Sequence, residues 1–296
     1  LEFFAREVVE GFITGLHKSP YHGFSVEFAE HRLYNTGEPI RNIDWKLYAR
    51  TDKLFVKRFE EETNLRCQLV MDTSASMYYP PIQYPDVEHP TKLLFSIYAA
   101  AALMFLFKQQ RDAVGLSIFN NDISQTIQAR SSAIHIHYLF TELEKLIESQ
   151  PPSRPHESSI ADSLHLIAES IHKRSLVIIF SDMFDKAGEP ELLFHALQHL
   201  RHNKHEVILF YTIDKQLELN FDFENRPYRF VDIENGKEIK LNPYELRERY
   251  MTSMQNFLDE LKFRCGQYHI DLVEADIHEG FNQILLPDLI KRSRLY

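Results

Sequence analysis

From Leu65 onward the chain alternates short β-branched runs with longer stretches of helical period, and this rhythm limits the fold more than any other feature. Leu65–Met71 reads as a buried strand and Lys92–Lys108 as a helix. Val114–Phe119 and Ile123–Gln128 read as two more strands, joined by the turn-prone Asn120-Asn121-Asp122. Ile134–Glu148 has a helical pattern, and Pro151, Pro152 and Pro155 break the chain after it. Ile160, Leu164, Ile167 and Ile171 then recur on one helical face. Ser175–Ser181 is a continuous apolar strand of the parallel, doubly covered type, and Pro190 opens a helix with Leu193, Leu197 and Leu200 inward. Glu206–Ile213 and Ile270–Ala275 are further strands, and a last helix follows, interrupted at Pro287. The pattern predicts an α/β class chain: a doubly wound, mostly parallel six-stranded sheet covered on both faces, with Ile123–Gln128 as its antiparallel edge.

Two segments depart from the rhythm. Tyr228–Ile233 and Lys237–Leu241 flank Asn235-Gly236, which predicts an inserted hairpin. Asn242-Pro243 then starts a long helix, with Asn242 as N-cap, Pro243 in the first turn and Glu245 placed for a capping box. Residues 1–64 hold an amphipathic start, a polar middle and an extended Leu54–Phe59, and read as an N-terminal extension to a domain covering 65–296.

Composition narrows the function classes. With 44% hydrophobic residues the chain can build a real core. Its net charge of -10, from 33 basic and 43 acidic side chains, argues against nucleic acid and anionic membrane as partners, since both want a cationic field. The longest apolar stretch, Leu93 to Phe107, is shorter than the ~20 residues of a spanning helix and reads as a core helix, so no membrane insertion is expected. The cysteines are Cys67 and Cys265, with Cys67 in an apolar run, and no disulfide framework is suggested. No signal peptide is visible at the start, where the chain opens at Leu1 without methionine. These features together lead us to expect a cytoplasmic protein.

The chemistry concentrates at Asp72-Thr73-Ser74-Ala75-Ser76, directly after the strand ending at Met71. Oxygen donors at alternate positions suit a hard cation such as Mg²⁺. In open α/β sheets ligands bind outside the carboxyl ends of strands, where the strand order reverses. Ser181-Asp182 ends a later strand in the same way, so two carboxylates and several hydroxyls are expected to converge there. The plainer alternative is an ordinary strand-to-helix turn, in which Asp and Ser clusters are common.

The Asp72–Ser76 run resembles the metal-ion-dependent adhesion site of von Willebrand factor A domains. Upstream, Glu27-Phe28-Ala29-Glu30, Arg32-Leu33-Tyr34, Gly37-Glu38, Ile40-Arg41-Asn42-Ile43-Asp44-Trp45-Lys46, Ala49-Arg50-Thr51 and Val56-Lys57 resemble the signature of one bacterial family. That family is a domain of unknown function with a von Willebrand factor A-like core of Rossmann type, usually encoded beside a MoxR-type AAA+ ATPase. The resemblance implies one divalent cation, Mg²⁺ or Mn²⁺, held by Asp72, Ser74 and Ser76, by a second-loop hydroxyl, and by Asp182. Ser158 is the best match for the second-loop ligand and Ser159 the alternative. Serine stands there where the family usually has threonine, and Glu157 where it has a small residue. The implied function is a non-enzymatic, metal-dependent protein–protein interaction module, an adaptor or co-chaperone-like partner of a MoxR-type ATPase. The partner would offer an Asp or Glu carboxylate to an open metal position, which Glu157 could instead fill from within.

Other candidates carry less. His195, His199 and His202 lie near one face of a helix, with His205 beyond, but H-E-x-x-H is absent, and a solvated histidine-rich helix is the expectation. Trp45, Ile43 and Tyr48 read as packing residues of the extension. Arg32, Arg41, Lys46, Arg50, Lys53, Lys57 and Arg58 outnumber nearby acids, which fits either a locally basic face or a solvated surface with scattered ion pairs. No G-x-S-x-G, G-x-G-x-x-G or Walker A pattern occurs. The enzymatic alternative is a metal-dependent phosphatase or serine hydrolase built on the Asp72–Ser76 turn. A phosphatase of the haloacid dehalogenase type wants D-x-D, where Ser74 stands, and a serine nucleophile needs a neighbouring base.

Overall fold

Hydrophobic periodicity decides where the strands and helices form. The computed structural model describes residues 1–17, 31–33, 48, 50–51, 54–57, 65–120, 123–151, 160–184, 190–231 and 237–285. The chain divides into two compact units, one of Leu1–Ile13 with Leu65–Tyr296 and one of Thr14–Asn64.

The smaller unit contains β1 (His31–Leu33) and β2 (Phe55–Lys57), paired antiparallel with Leu33 opposite Phe55. Trp45, Ile43 and most of the upstream signature, including Arg41, Lys46, Lys53 and Arg58, lie outside the described residues.

The larger unit is built on six strands: β3 (Arg66–Asp72), β4 (Ala113–Phe119), β5 (Ile123–Arg130), β6 (Leu176–Ser181), β7 (Glu206–Ile213) and β10 (Asp271–Asp276). Their order is β10-β7-β6-β3-β4-β5, parallel throughout except for β5, which runs antiparallel at the edge beside β4. The chain runs outward from β3 to β4 and β5, then returns to the other side of β3 for β6, β7 and β10. The order therefore reverses between β3 and β6.

Helices cover both faces. Successive strand residues point to opposite sides. Val70, Val177, Ile179, Val207 and Leu209 join one core cluster with α4 (Ile160–Ser170), α5 (Pro190–His202) and α6 (Pro243–Tyr268). The intervening Leu69, Met71, Ile178, Phe180, Ile208 and Phe210 are equally buried. On that side α2 (Lys92–Gln109) packs against β3, β4 and β7, and α3 (Ala133–Ile147) packs against α2. By length and composition α2 could cross a membrane, yet 78% of it is buried inside the protein. Its start is set by Thr91, whose side chain accepts from the Leu94 amide at 3.2 Å.

The amphipathic helix α1 (Glu2–His17), read from sequence as part of an extension, belongs to the larger unit through its first residues. Ala5 and Val9 are fully buried, and the Phe4 ring lies 4.4 Å from Tyr98 and 5.6 Å from Phe281. Between β7 and α6, β8 (Tyr228–Val231) and β9 (Glu238–Leu241) form the expected antiparallel hairpin, with Val231 opposite Glu238. Its Asn235-Gly236 turn lies outside the described residues. Asn242 caps α6 through the Tyr244 amide, one position earlier than a capping box would use. Residues 286–296, including Pro287, are also outside the described set.

Inside the sheet one polar residue needs special accommodation. Gln68 is buried in β3 and donates through Nε2 to Ser117 Oγ at 2.9 Å and to the Ile127 carbonyl at 3.2 Å. Gly115 stands opposite it in β4, where a Cβ would come within 2.2 Å of Gln68 Oε1 and 2.6 Å of the Ile127 carbonyl oxygen. Glycine is the residue that lets the amide cross the strand.

Candidate functional site

Because β3 and β6 are neighbours in register, with Met71 opposite Phe180, the sheet brings Asp72 beside Ser181 and Asp182 at one edge. This edge is the point of reversal. The sequence expectation that Asp72 and Asp182 end adjacent strands describes the observed arrangement.

The turn after β3 is held by its own side chains. Asp72 Oδ1 accepts from the Ser74 amide at 2.9 Å, and Thr73 Oγ1 donates to the Phe119 carbonyl at 2.9 Å. Ser74 is the N-cap of a short 3₁₀ turn, Ala75–Tyr78, but its side chain makes no capping bond. Its hydroxyl faces Ser76 Oγ instead, at 3.1 Å. Adjacent vertices of an octahedron with Mg–O bonds of about 2.1 Å are about 3.0 Å apart. The two hydroxyls thus have the spacing of neighbouring ligands on a small hard cation.

Across the strand boundary the Ser181 hydroxyl donates to Asp72 Oδ2 at 2.5 Å and accepts from the Met183 amide at 2.9 Å. Asp182 Oδ1 accepts from the Phe184 amide at 3.1 Å. Asp72 is fully buried and faces the Asp182 charge, which pushes its carboxyl up to about 7, burial being the larger cause. The hydrogen bonds from Ser181 and Ser74 oppose that rise.

Four further groups were not among the sequence candidates: Lys92, Glu218, Asp214 and His278. Lys92, the first residue of α2, is 1% exposed and donates to Asp182 Oδ2 at 2.7 Å and to Glu218 Oε1 at 2.6 Å. Glu218 lies on a π-helical turn, Lys215–Leu219, that follows β7. That turn is anchored by Asp214, whose Oδ1 accepts from the Leu217 amide at 3.0 Å, and whose own amide donates to Glu218 Oε2 at 2.9 Å. His278 Nε2 lies 3.3 Å from Asp214 Oδ2. Burial raises the Glu218 carboxyl, while the Asp182 and Glu218 charges hold the Lys92 ammonium firmly protonated against its own desolvation. The one sequence sign of this triad was a lysine opening an otherwise apolar helix.

The second-loop candidates Ser158 and Ser159, and Glu157 beside them, lie outside the described residues. Among the described residues no group of three or more His, Cys, Asp or Glu side chains could hold a metal. The donors that do converge are a carboxylate pair with serine hydroxyls. The histidines form no solvated stripe. His195 and His202 are exposed, but His199 pairs with His165 of α4, Nδ1 to Nδ1 at 2.9 Å, and His205 is buried with Nδ1 accepting from the Ser175 amide.

Thr73 and Tyr78 also line an open cavity of about 350 Å³, together with Ser124, Glu142, Lys145 and Ser149. Tyr78 is fixed there by a 2.7 Å bond between its hydroxyl and Ser149 Oγ.

Comparison with known proteins places this geometry in a family context. A family model described as protein of unknown function DUF58 matches residues 30–257. Uncharacterised proteins of Mycobacterium bovis (strain ATCC BAA-935 / AF2122/97) and Mycobacterium tuberculosis (strain ATCC 25618 / H37Rv) are each 25% identical over 182 residues. The match covers 62% of this chain and 55% of theirs, so the chain spans about half the length of these curated relatives. Among solved structures, the conserved hypothetical protein BatB from Bacteroides thetaiotaomicron is similar with a TM-score of 0.49 at 15% identity, over 78% of this chain and 100% of that one. An aerotolerance-related membrane protein from Bacteroides fragilis NCTC 9343 is similar with a TM-score of 0.45 at 15% identity, over 77% of this chain and 97% of that one.

Proposed function

The chain belongs to the family described as protein of unknown function DUF58, and from that premise we propose that it is a metal-dependent protein-interaction module with a von Willebrand factor A-like core. The observation that carries this reading is the convergence of Asp72, Ser74, Ser76 and Asp182 at the strand-order reversal, with the two serine hydroxyls 3.1 Å apart. In this reading Ser74 and Ser76 ligate one Mg²⁺ or Mn²⁺ directly. Asp72 and Asp182 hold it directly or through water, and Ser158 supplies a further hydroxyl. The buried Asp72 carboxyl supports this, since a divalent charge is what a desolvated carboxylate facing a second one lacks.

The ion would leave a coordination position for a carboxylate brought by another protein. We assign that carboxylate to a partner of the MoxR-type AAA+ ATPase class, with this chain as a cytoplasmic, non-catalytic adaptor. The enzymatic alternative, a metal-dependent phosphatase or serine hydrolase, has one observation in its favour. A carboxyl held near 7 is suited to general base work.

The test is thermal unfolding with Mn²⁺ against EDTA, for wild type and Asp72→Ala. A ligand that binds only the native state raises its stability. Wild type should melt higher with metal, and the variant should not respond. Equal stabilisation of the two proteins would place the metal elsewhere. Turnover of phosphate or carboxylic esters by wild type, lost in the variant, would favour the enzyme.

A further inference from the structure

Lys92 occupies an unfavourable place for a cation. It is the first residue of α2, where the helix dipole favours negative charge, and it is almost completely buried. Burying an ammonium is costly unless it is paired and hydrogen-bonded. Here it is wrapped on several sides. Asp182 Oδ2 and Glu218 Oε1 accept from it, and the Tyr79 ring centroid lies 5.8 Å from Nζ. The backbone is tied to the same place, since the Lys92 amide donates to the Tyr79 carbonyl at 2.9 Å. Glu218 is itself positioned by the Asp214 amide, so the clamp is built from α2, the end of β6 and the turn after β7.

The consequence concerns Asp182. One of its oxygens is committed to the Phe184 amide and the other to the Lys92 ammonium. A divalent ion at Ser74 and Ser76 therefore meets an Asp182 whose charge is already shared. Among the described residues Asp72 has no such cation as a bonded partner; its oxygens accept from the Ser74 amide and the Ser181 hydroxyl.

We infer that Lys92 is a resident cation of this site, which neutralises Asp182 in the metal-free protein and holds divalent affinity down by keeping that carboxylate from direct ligation. The inference rests on the metal reading above and deepens it. Glu218 is the anchor that keeps the ammonium in place, and neither residue touches the incoming ion. Both are positioning residues. A site tuned in this way folds without metal and holds the ion weakly enough for a partner's carboxylate to decide whether it stays.

The experiment is calorimetric titration of Mn²⁺, with thermal melts in EDTA, on wild type, Lys92→Met, the double variant Lys92→Met/Glu218→Gln, and that double variant carrying Asp72→Asn. Lys92→Met alone leaves the buried Asp182 and the partly buried Glu218 uncompensated and should melt well below wild type in EDTA. The double variant removes one cation and one anion together, so it keeps the net charge and guards against a failure to fold. It should bind Mn²⁺ about tenfold tighter than wild type or better, since Asp182 is freed without a change of total charge. Adding Asp72→Asn should abolish that gain. A purely structural ion triad predicts no tightening. If wild type binds through Asp72 and the double variant binds no tighter, the inference is overturned while the metal reading stands. If no protein binds Mn²⁺, both fall. If only the Lys92 variants bind, the metal reading falls for wild type, and the inference that Lys92 tunes a working metal site falls with it.

Discussion

The Ser181 hydroxyl donates to Asp72 Oδ2 at 2.5 Å, tying the ends of two adjacent parallel strands together at the edge where the sheet reverses its order. Both side chains are fully buried. The bond fixes the direction of a carboxylate that burial and Asp182 would otherwise drive toward protonation. Ser181→Ala removes that donor and also deprives the Met183 amide of its acceptor. The expected cost is about 1–3 kcal/mol of stability, the range for leaving buried polar groups unsatisfied. Urea unfolding of the metal-free protein measures it. A midpoint equal to wild type would mean that water replaces the hydroxyl without loss.

Ser74→Ala and Ser76→Ala each remove one hydroxyl of the 3.1 Å pair. Each single change should weaken Mn²⁺ binding by about tenfold, equivalent to roughly 1.4 kcal/mol. Melting in EDTA should also fall, by about 0.5–1.5 kcal/mol of stability, because each change breaks the Ser74–Ser76 hydroxyl contact. Calorimetry with both variants checks this. Unchanged affinity in both would remove the serines from the ligand set.

Gly115→Ala tests the passage of Gln68 through the sheet. The added Cβ meets backbone atoms of β5 as well as the Gln68 side chain, so a rotamer change alone cannot make room. Overpacking of this kind costs about 1–3 kcal/mol. The loss should shrink when Gln68→Ala is added, although the Ile127 and Ala129 backbone contacts remain. Chemical denaturation of the single and double variants gives the coupling.

The His165–His199 contact predicts acid sensitivity. In an Nδ1–Nδ1 hydrogen bond one ring donates and the other accepts, so a doubly protonated pair cannot keep it. The His165 pKa is lowered, first by burial and then by His199, with His195 adding to the effect and Asp162 and Glu169 opposing it. A histidine with a depressed folded pKa binds protons less readily than in the unfolded chain. Its stabilisation is therefore present above about pH 6.5 and lost as pH falls through the folded value. The urea midpoint should drop between pH 7 and 5 in wild type, and less steeply in His199→Gln. Parallel pH profiles for the two proteins would count against the pair.

Much of the fold was legible along the chain, because the signals that set strands and helices are local. The continuous apolar run at Ser175–Ser181 and the turn residues at Asn120-Asn121-Asp122 marked elements whose bounds the structure reproduces to within a residue or two at most ends. Asp72 and Asp182 could be paired in advance because strand ends in a parallel sheet share an edge. The fate of α1 was less legible. Its amphipathic pattern showed that it packs, and only the arrangement of Tyr98 and Phe281 shows against what.

The sequence by itself determined the mostly parallel α/β sheet, its antiparallel edge and the position of the Asp72–Ser76 turn, since each follows from periodicity and turn chemistry within a short window. Tertiary structure alone decided which charges meet. Lys92 and Asp182 are 90 residues apart, and Lys92 and Glu218 are 126 apart. Nothing in a local pattern says which buried carboxylate will neutralise a lysine. Likewise His199 looked toward its own helix neighbours in sequence, but meets His165, 34 residues away on α4. A backbone period reports which face of an element is buried. The partner of a charge is set by how those faces are brought together, and that depends on the packing of the whole sheet and its helices.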